Sequence, residues 1–107
     1  MSIKDVSTGG KFEIHAEDSE GNLIGWIFGY IFGRILTVGR VDVVPQARRQ
    51  GLGSELWRRF AALGRQNGAT GLTGQFCPDD GHDEDLDVFY ERLGVEIDET
   101  GRLHQDL

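Results

Sequence analysis

The residues with the most chemical content run from Val41 to Ser54, where the chain reads Val41-Asp42-Val43-Val44-Pro45-Gln46-Ala47-Arg48-Arg49-Gln50-Gly51-Leu52-Gly53-Ser54. The two glycines flanking Leu52 let a backbone approach a bulky ligand, and a helix starting there presents its first unpaired N–H groups as an anion site. Arg48 and Arg49 add positive charge to a chain whose formal net charge is −7. A phosphate-bearing ligand is one reading. The other is a helix that follows a glycine turn with its arginines in solvent, because neither the dinucleotide-binding glycine spacing nor the triphosphate loop with its Lys is present. Asp42, His82, Asp83 and Glu84 are nearby groups that could take a proton. The acidic run Asp79 to Asp87 also reads as a solvated face and a helix N-terminus, and His82 as a loop histidine. Cys77 reads as a small buried apolar residue, and no metal site is expected.

The elements that must position these residues follow from spacing. Phe12, Ile14 and Ala16 alternate with Lys11, Glu13 and His15, which predicts a strand, and Asp18 to Asn22 predicts a turn. Leu23 to Ile31 is rich in aromatic and branched residues, Gly33-Arg34 can turn, and Ile35 to Val44 reads as a strand stopped by Pro45. Leu52, Leu56, Phe60 and Leu63 set one apolar stripe along a helix that stops at Asn67-Gly68. Trp57 lies off that stripe and is a candidate dimer contact. A strand over Gly71 to Phe76, a helix over about Asp83 to Leu93 closed by Gly94, and a last hairpin around Glu99-Thr100-Gly101 complete the order βββαβαβ(β). The fold class is therefore α/β, a mixed, mostly antiparallel sheet with two helices. Residues 1–10 are expected to be a flexible lead-in and 11–107 a single domain. Trp26 and Tyr30 are expected in the core, and a wet Trp26 would mark an interface.

Composition bounds the rest. With 107 residues, 38% of them hydrophobic and a single cysteine, the chain must build a real core without an internal disulfide. The acidic balance argues against sequence-independent nucleic-acid binding, which needs clustered Lys and Arg, and favours cationic partners such as amines. No membrane span is expected, since the longest apolar stretch, Leu23 to Gly33, is well short of the roughly 20 residues that cross a bilayer. The start lacks the regions of a signal peptide, so a cytoplasmic protein is expected.

Two segments resemble motifs of the GCN5-related N-acetyltransferases. Val43-x-Pro45 followed by Arg48-x-x-Gly51-x-Gly53 is similar to motif A, and Phe89-Tyr90-Glu91-Arg92-Leu93-Gly94-Val95 looks like motif B at the end of the following helix. The resemblance covers roughly residues 11 to 105. It implies that the backbone of Val41, Asp42 and Val43 binds the pantetheine arm of acetyl-CoA like an added strand, with one amide facing the thioester carbonyl. It implies too that Arg48, Arg49, Gln50, Gly51, Leu52, Gly53 and Ser54 hold the pyrophosphate. Tyr90 matches the family's general acid, a role that suits a phenol, whose pKa of about 10 keeps its proton available to a departing thiolate.

The sequence departs from the family in three places. Gly33 to Arg40 contains no carboxylate where some relatives place a basic Glu, and Asp83 stands where an Asn often contacts the cofactor. The usual first strand and the two helices covering the acceptor side are expected to be missing. The acceptor side should then be open, to be covered by a second subunit in a homodimer or by a macromolecular acceptor. Arg49 to Ser54, Cys77-Pro78-Asp79-Asp80, Asp85-Leu86 and Gly101-Arg102-Leu103 more weakly resemble compact acetyltransferases of phages and mobile elements, some of which act on lysines of host or CRISPR proteins. The expected function is acetyl transfer from acetyl-CoA to a primary amine, a protein lysine among the candidates. The alternative is a catalytically silent acyl-CoA-binding or protein-interaction module of the same fold, because a fold does not guarantee its chemistry.

Overall fold

A computed structural model of the chain describes residues 1–48, 50–75 and 89–107. Strands β2 (Lys11–Glu17), β3 (Leu23–Phe32) and β4 (Ile35–Val43) pair antiparallel in chain order, as their composition and turn signals predict. The Asp18 carboxylate accepts the amides of Glu20 and Asn22 and so fixes the first turn. Gly33, at φ 62°, makes the second. Pro45, which cannot donate to a ladder, opens a 3₁₀ turn at Pro45–Ala47.

The start of the chain departs from expectation. Ser2–Asp5 forms a strand, β1, paired antiparallel with β2, so the predicted lead-in is partly ordered and a first strand is present. Ile3, opposite Ala16, is the lead-in side chain packed against the core. One apolar residue among polar neighbours carries too little periodicity to announce a strand. Residues 6–10 join β1 to β2 without an intervening helix.

Helix α1 (Leu52–Gln66) follows Gly51, whose φ of 77° is the left-handed conformation that glycine adopts without strain. It crosses to β5 (Gly71–Gln75), which runs parallel to β4. Residues 89–92 are helical, and most of the predicted second helix, like Phe76, lies outside the described residues. Strands β6 (Glu96–Ile97) and β7 (Arg102–Asp106) form the expected last hairpin. The seven strands make one sheet in the order β1-β2-β3-β4-β5-β7-β6. Among the described residues no helix is long and apolar enough to cross a membrane.

Helix α1 covers one face of the sheet. Leu56 and Phe60 reach over Gly25 and Gly29, while Gly64 lies against Leu36. Trp57 is 1% exposed, which overturns its assignment to a dimer contact: it belongs to the core beside Leu56 and Phe60. Tyr30 is also corrected, because it is 42% exposed and lies with half-buried Trp26 on the face away from α1. The bulk over β3 comes from the helix, so the small residues of that strand point inward and the aromatics outward.

Candidate active site

The junction singled out above sits where the sheet splits. Ile35 to Val38 pair with Gly71 to Gly74, and among the described residues that parallel ladder ends there. Gly39 causes the change. Phe28 pairs with Arg40 and Gly29 with Val38, so Gly39 is the extra residue of a β-bulge, which bends β4 and increases its twist. A Cβ there would lie 2.5 Å from the Phe28 ring, so any larger residue would have to displace that ring.

Beyond the bulge β4 keeps β3 as its partner on one side. The Val44 N–H donates to the Ile24 carbonyl at 2.9 Å. Since successive residues of an antiparallel strand face opposite sides, Asp42 then faces β3, and the N–H and C=O groups of Val41 and Val43 face the split. The expected added-strand site over Val41 to Val43 thus reduces to two residues. Val43 is already engaged: its carbonyl accepts Arg48 Nε at 2.9 Å, and its N–H donates to Asp42 Oδ1 at 2.9 Å. The Asp42 carboxylate is paired with Arg40 at 3.1 Å and lies 4.0 Å from Arg48.

The α1 N-terminus enters the same corner. Among the described residues no side chain caps it, and Glu55 N–H is the amide that bonds back to the Gly51 carbonyl. The amides of Leu52, Gly53 and Ser54 precede the first intrahelical bond and carry the positive end of the helix dipole. The Leu52 side chain is buried, so that residue has only its backbone to offer a ligand, while Gln50 is exposed. A Cβ on Gly53 would stand 3.1 Å from Phe89 and 3.8 Å from Val43. The second glycine of the motif therefore brings the end of β4, the helix start and the 89–92 segment together.

Tyr90 is 6% exposed and packs edge-on against Trp57, with ring centroids 5.4 Å apart, and against Phe89 at 5.1 Å. Trp57 is held in turn. Its indole Nε1 donates to Gln105 Oε1 at 2.8 Å, and Gln105 Nε2 donates to the Leu93 carbonyl at 2.9 Å. Gln105 thus ties α1 to the turn after Tyr90. The sequence reading missed both supports; the signal was a tryptophan next to an apolar stripe, whose buried N–H must find an acceptor. Arg49, Cys77, His82, Asp83 and Glu84 lie outside the described residues. An open groove of about 490 Å³ lies elsewhere, lined by Ile35, Thr73, Ile97 and His104 among others, and neither Val41 to Val43 nor the α1 N-terminus borders it.

Comparison with known proteins bears on the family and the fold. The family model of an acetyltransferase (GNAT) domain matches residues 11–97. No curated protein matches the sequence significantly. Among solved structures, a protein assigned as an acyl-CoA N-acyltransferase from Klebsiella pneumoniae superposes with a TM-score of 0.81 at 18% identity, over 92% of this chain and 73% of that one. YhbS from Escherichia coli, a GNAT family N-acetyltransferase solved with CoA, gives 0.70 at 18% identity, over 89% of this chain and 58% of its own. The PaiA N-acetyltransferase of Thermoplasma acidophilum, in complex with coenzyme A, gives 0.75 at 14% identity, over 92% and 62%. Identities this low bear on the fold alone, whereas the family match spans most of the sequence and contains both motifs. The chain belongs to the GCN5-related N-acetyltransferase family.

Proposed function

We propose that the protein is an N-acetyltransferase that uses acetyl-CoA as cosubstrate and transfers the acetyl group directly to a primary amine, including the amine of a protein lysine. One observation carries the reading: the split beyond Gly39, the α1 N-terminus, uncapped among the described residues, and the Phe89-Tyr90 segment converge around Gly53. Acetyl-CoA supplies an activated acyl group as a thioester. The residues present suit it, because an extended pantetheine arm needs edge backbone groups and a pyrophosphate needs unpaired amides beside a cation.

In this reading Val41 offers the amide for the thioester carbonyl oxygen, where a fixed N–H is worth most as negative charge develops. The amides of Leu52, Gly53 and Ser54, with Arg48 and Arg49, hold the pyrophosphate; Arg48 also braces the Val43 carbonyl. The acceptor nitrogen bonds to the acetyl carbon, the carbon–sulfur bond breaks, and Tyr90 gives its phenolic proton to the departing thiolate. The proton lost by the amine goes to solvent or to a base. The net charge of −7 favours encounter with a cationic acceptor.

Calorimetric titration with acetyl-CoA should show saturable binding, weakened about tenfold or more by Arg48→Glu. Amine-dependent thiol release should fall by about 10²- to 10⁴-fold in Tyr90→Phe. Binding without turnover across amines and lysine-bearing proteins would favour a silent acyl-CoA module. Absence of binding would remove the proposal.

A further inference from the structure

Strand β3 carries Trp26, Phe28, Tyr30 and Phe32 at every second position, on the face opposite α1. Phe32 is 67% exposed and Tyr30 42%, and Ile35, paired with Phe32, is 40% exposed. Among the described residues no helix covers the β1–β4 part of this face. A sheet face this apolar ordinarily packs against something.

We infer that a second copy of this chain covers it, sheet face to sheet face, about a two-fold axis running along β3 between the two sheets. Charge decides between a copy and another partner. On this face the carboxylates of Glu13, Glu17 and Asp42 are matched one for one by Lys11, Lys4 and Arg40, each within ion-pair distance. Among the described residues this part of the face is therefore neutral, in a chain whose net charge is −7. A basic protein or a nucleic acid would be drawn to charge that this face does not display. Two copies of an acidic chain repel each other least where a neutral patch meets a neutral patch.

Register supplies the complementarity. Glu13 on β2, Phe28 on β3 and Arg40 on β4 stand in one cross-strand row, and His15, Trp26 and Asp42 in the next. Rotation about an axis along β3 keeps each row at its own level and lays β2 of one copy over β4 of the other. Glu13 then meets Arg40 of the second copy, His15 meets its Asp42, and the aromatic stripes stack on one another. This is the self-matching that a two-fold contact requires. Sheets packed this way stand about 10 Å apart, a gap that two layers of aromatic side chains fill. Four strands by the length of β3 project on the order of 600 Å², and side-chain relief brings the accessible area near the roughly 800 Å² per partner of a stable contact. Trp, Tyr and Arg are also the residues that most often anchor such contacts. The Asp42 carboxylate lies on this face and accepts the Val43 N–H at the split, so the second copy would stand beside the candidate active site.

Sedimentation of the full chain over about 1 to 100 µM tests the inference. The expected species has twice the chain mass of 11.9 kDa. Phe32→Glu, at a position open to solvent in a single copy, should sediment as a monomer with an unchanged circular dichroism spectrum. Arg40→Glu should raise the dimer dissociation constant by about tenfold or more, and adding Glu13→Arg should restore it, because the reversed charges again face each other. A wild-type monomer throughout the range would overturn the proposal. So would a dimer indifferent to Phe32→Glu, failure of the charge swap to restore association, or a monomer that uses this face to hold a protein acceptor.

Discussion

Tyr90 receives its position from residues that touch no substrate in the proposed reaction. Its ring lies on Trp57, whose indole is fixed by Gln105, which also holds the Leu93 carbonyl. Gln105→Leu keeps the volume but strands the indole N–H in the core, a loss of about 1 to 3 kcal/mol. Urea unfolding should show that loss, and thiol release should fall while acetyl-CoA binding stays near the wild-type value. An unchanged unfolding midpoint would mean that the indole has found another acceptor. Residue types and spacing pointed to Arg48 and the two glycines, and the resemblance to motif B to Tyr90, because each motif is contiguous in sequence. Gln105 stayed hidden for the opposite reason: Trp57 and Gln105 stand 48 residues apart, and only the folded sheet makes them neighbours.

At the scale of elements, the bulge at Gly39 marks where the sheet splits, and Gly29 lets β4 and α1 approach β3 closely. A Cβ at Gly29 would lie 2.0 Å from the Thr37 carbonyl oxygen and 2.9 Å from Phe60, so Gly29→Ala must displace both backbone and helix. We expect a destabilisation of about 1 to 3 kcal/mol, read from urea unfolding, whereas Gly10→Ala, with nothing within 4 Å, should leave the midpoint in place. Elements with one clear period were legible: α1 has a single stripe, and β2 alternates polar with apolar. Strand β3 was only half legible. It is apolar or small on both faces, and the rule that large apolar side chains go inside sends Trp26 and Tyr30 to the wrong one. The deciding bulk is Leu56 and Phe60, contributed by a helix that begins 20 residues after β3 ends. Strand β1 escaped notice because Ile3 alone of its four residues packs against the core, too little to set a period.

For the whole molecule, acidity governs the response to pH. Asp98 is held below its ordinary value of 3.8, first by the Thr100 hydroxyl and then by the Arg102 amide, and Asp18 likewise by the Asn22 amide. Glu13 is lowered mainly by the hydrogen bond from Lys11. Carboxyls lowered on folding lend stability that is complete above their unfolded values near pH 4 and is lost as pH falls through the folded ones. Thermal midpoints should therefore drop on acidification from about pH 6 toward pH 2, and the drop should be smaller in Asp98→Asn. Equal acid sensitivity in the two proteins would remove Asp98 from the account.

The two margins of the sheet carry a last consequence. Strand β1 is four residues long and exposes Lys4 and Asp5, and β6 is two residues long. Neither offers the long, flat, uncharged rim along which strands of neighbouring molecules add without limit. An aromatic sheet with such margins has no way to extend sideways into fibrils. In the dimer inferred above one partner saturates the aromatic face, which would let a small chain keep four aromatic side chains on an open sheet face and still resist runaway aggregation.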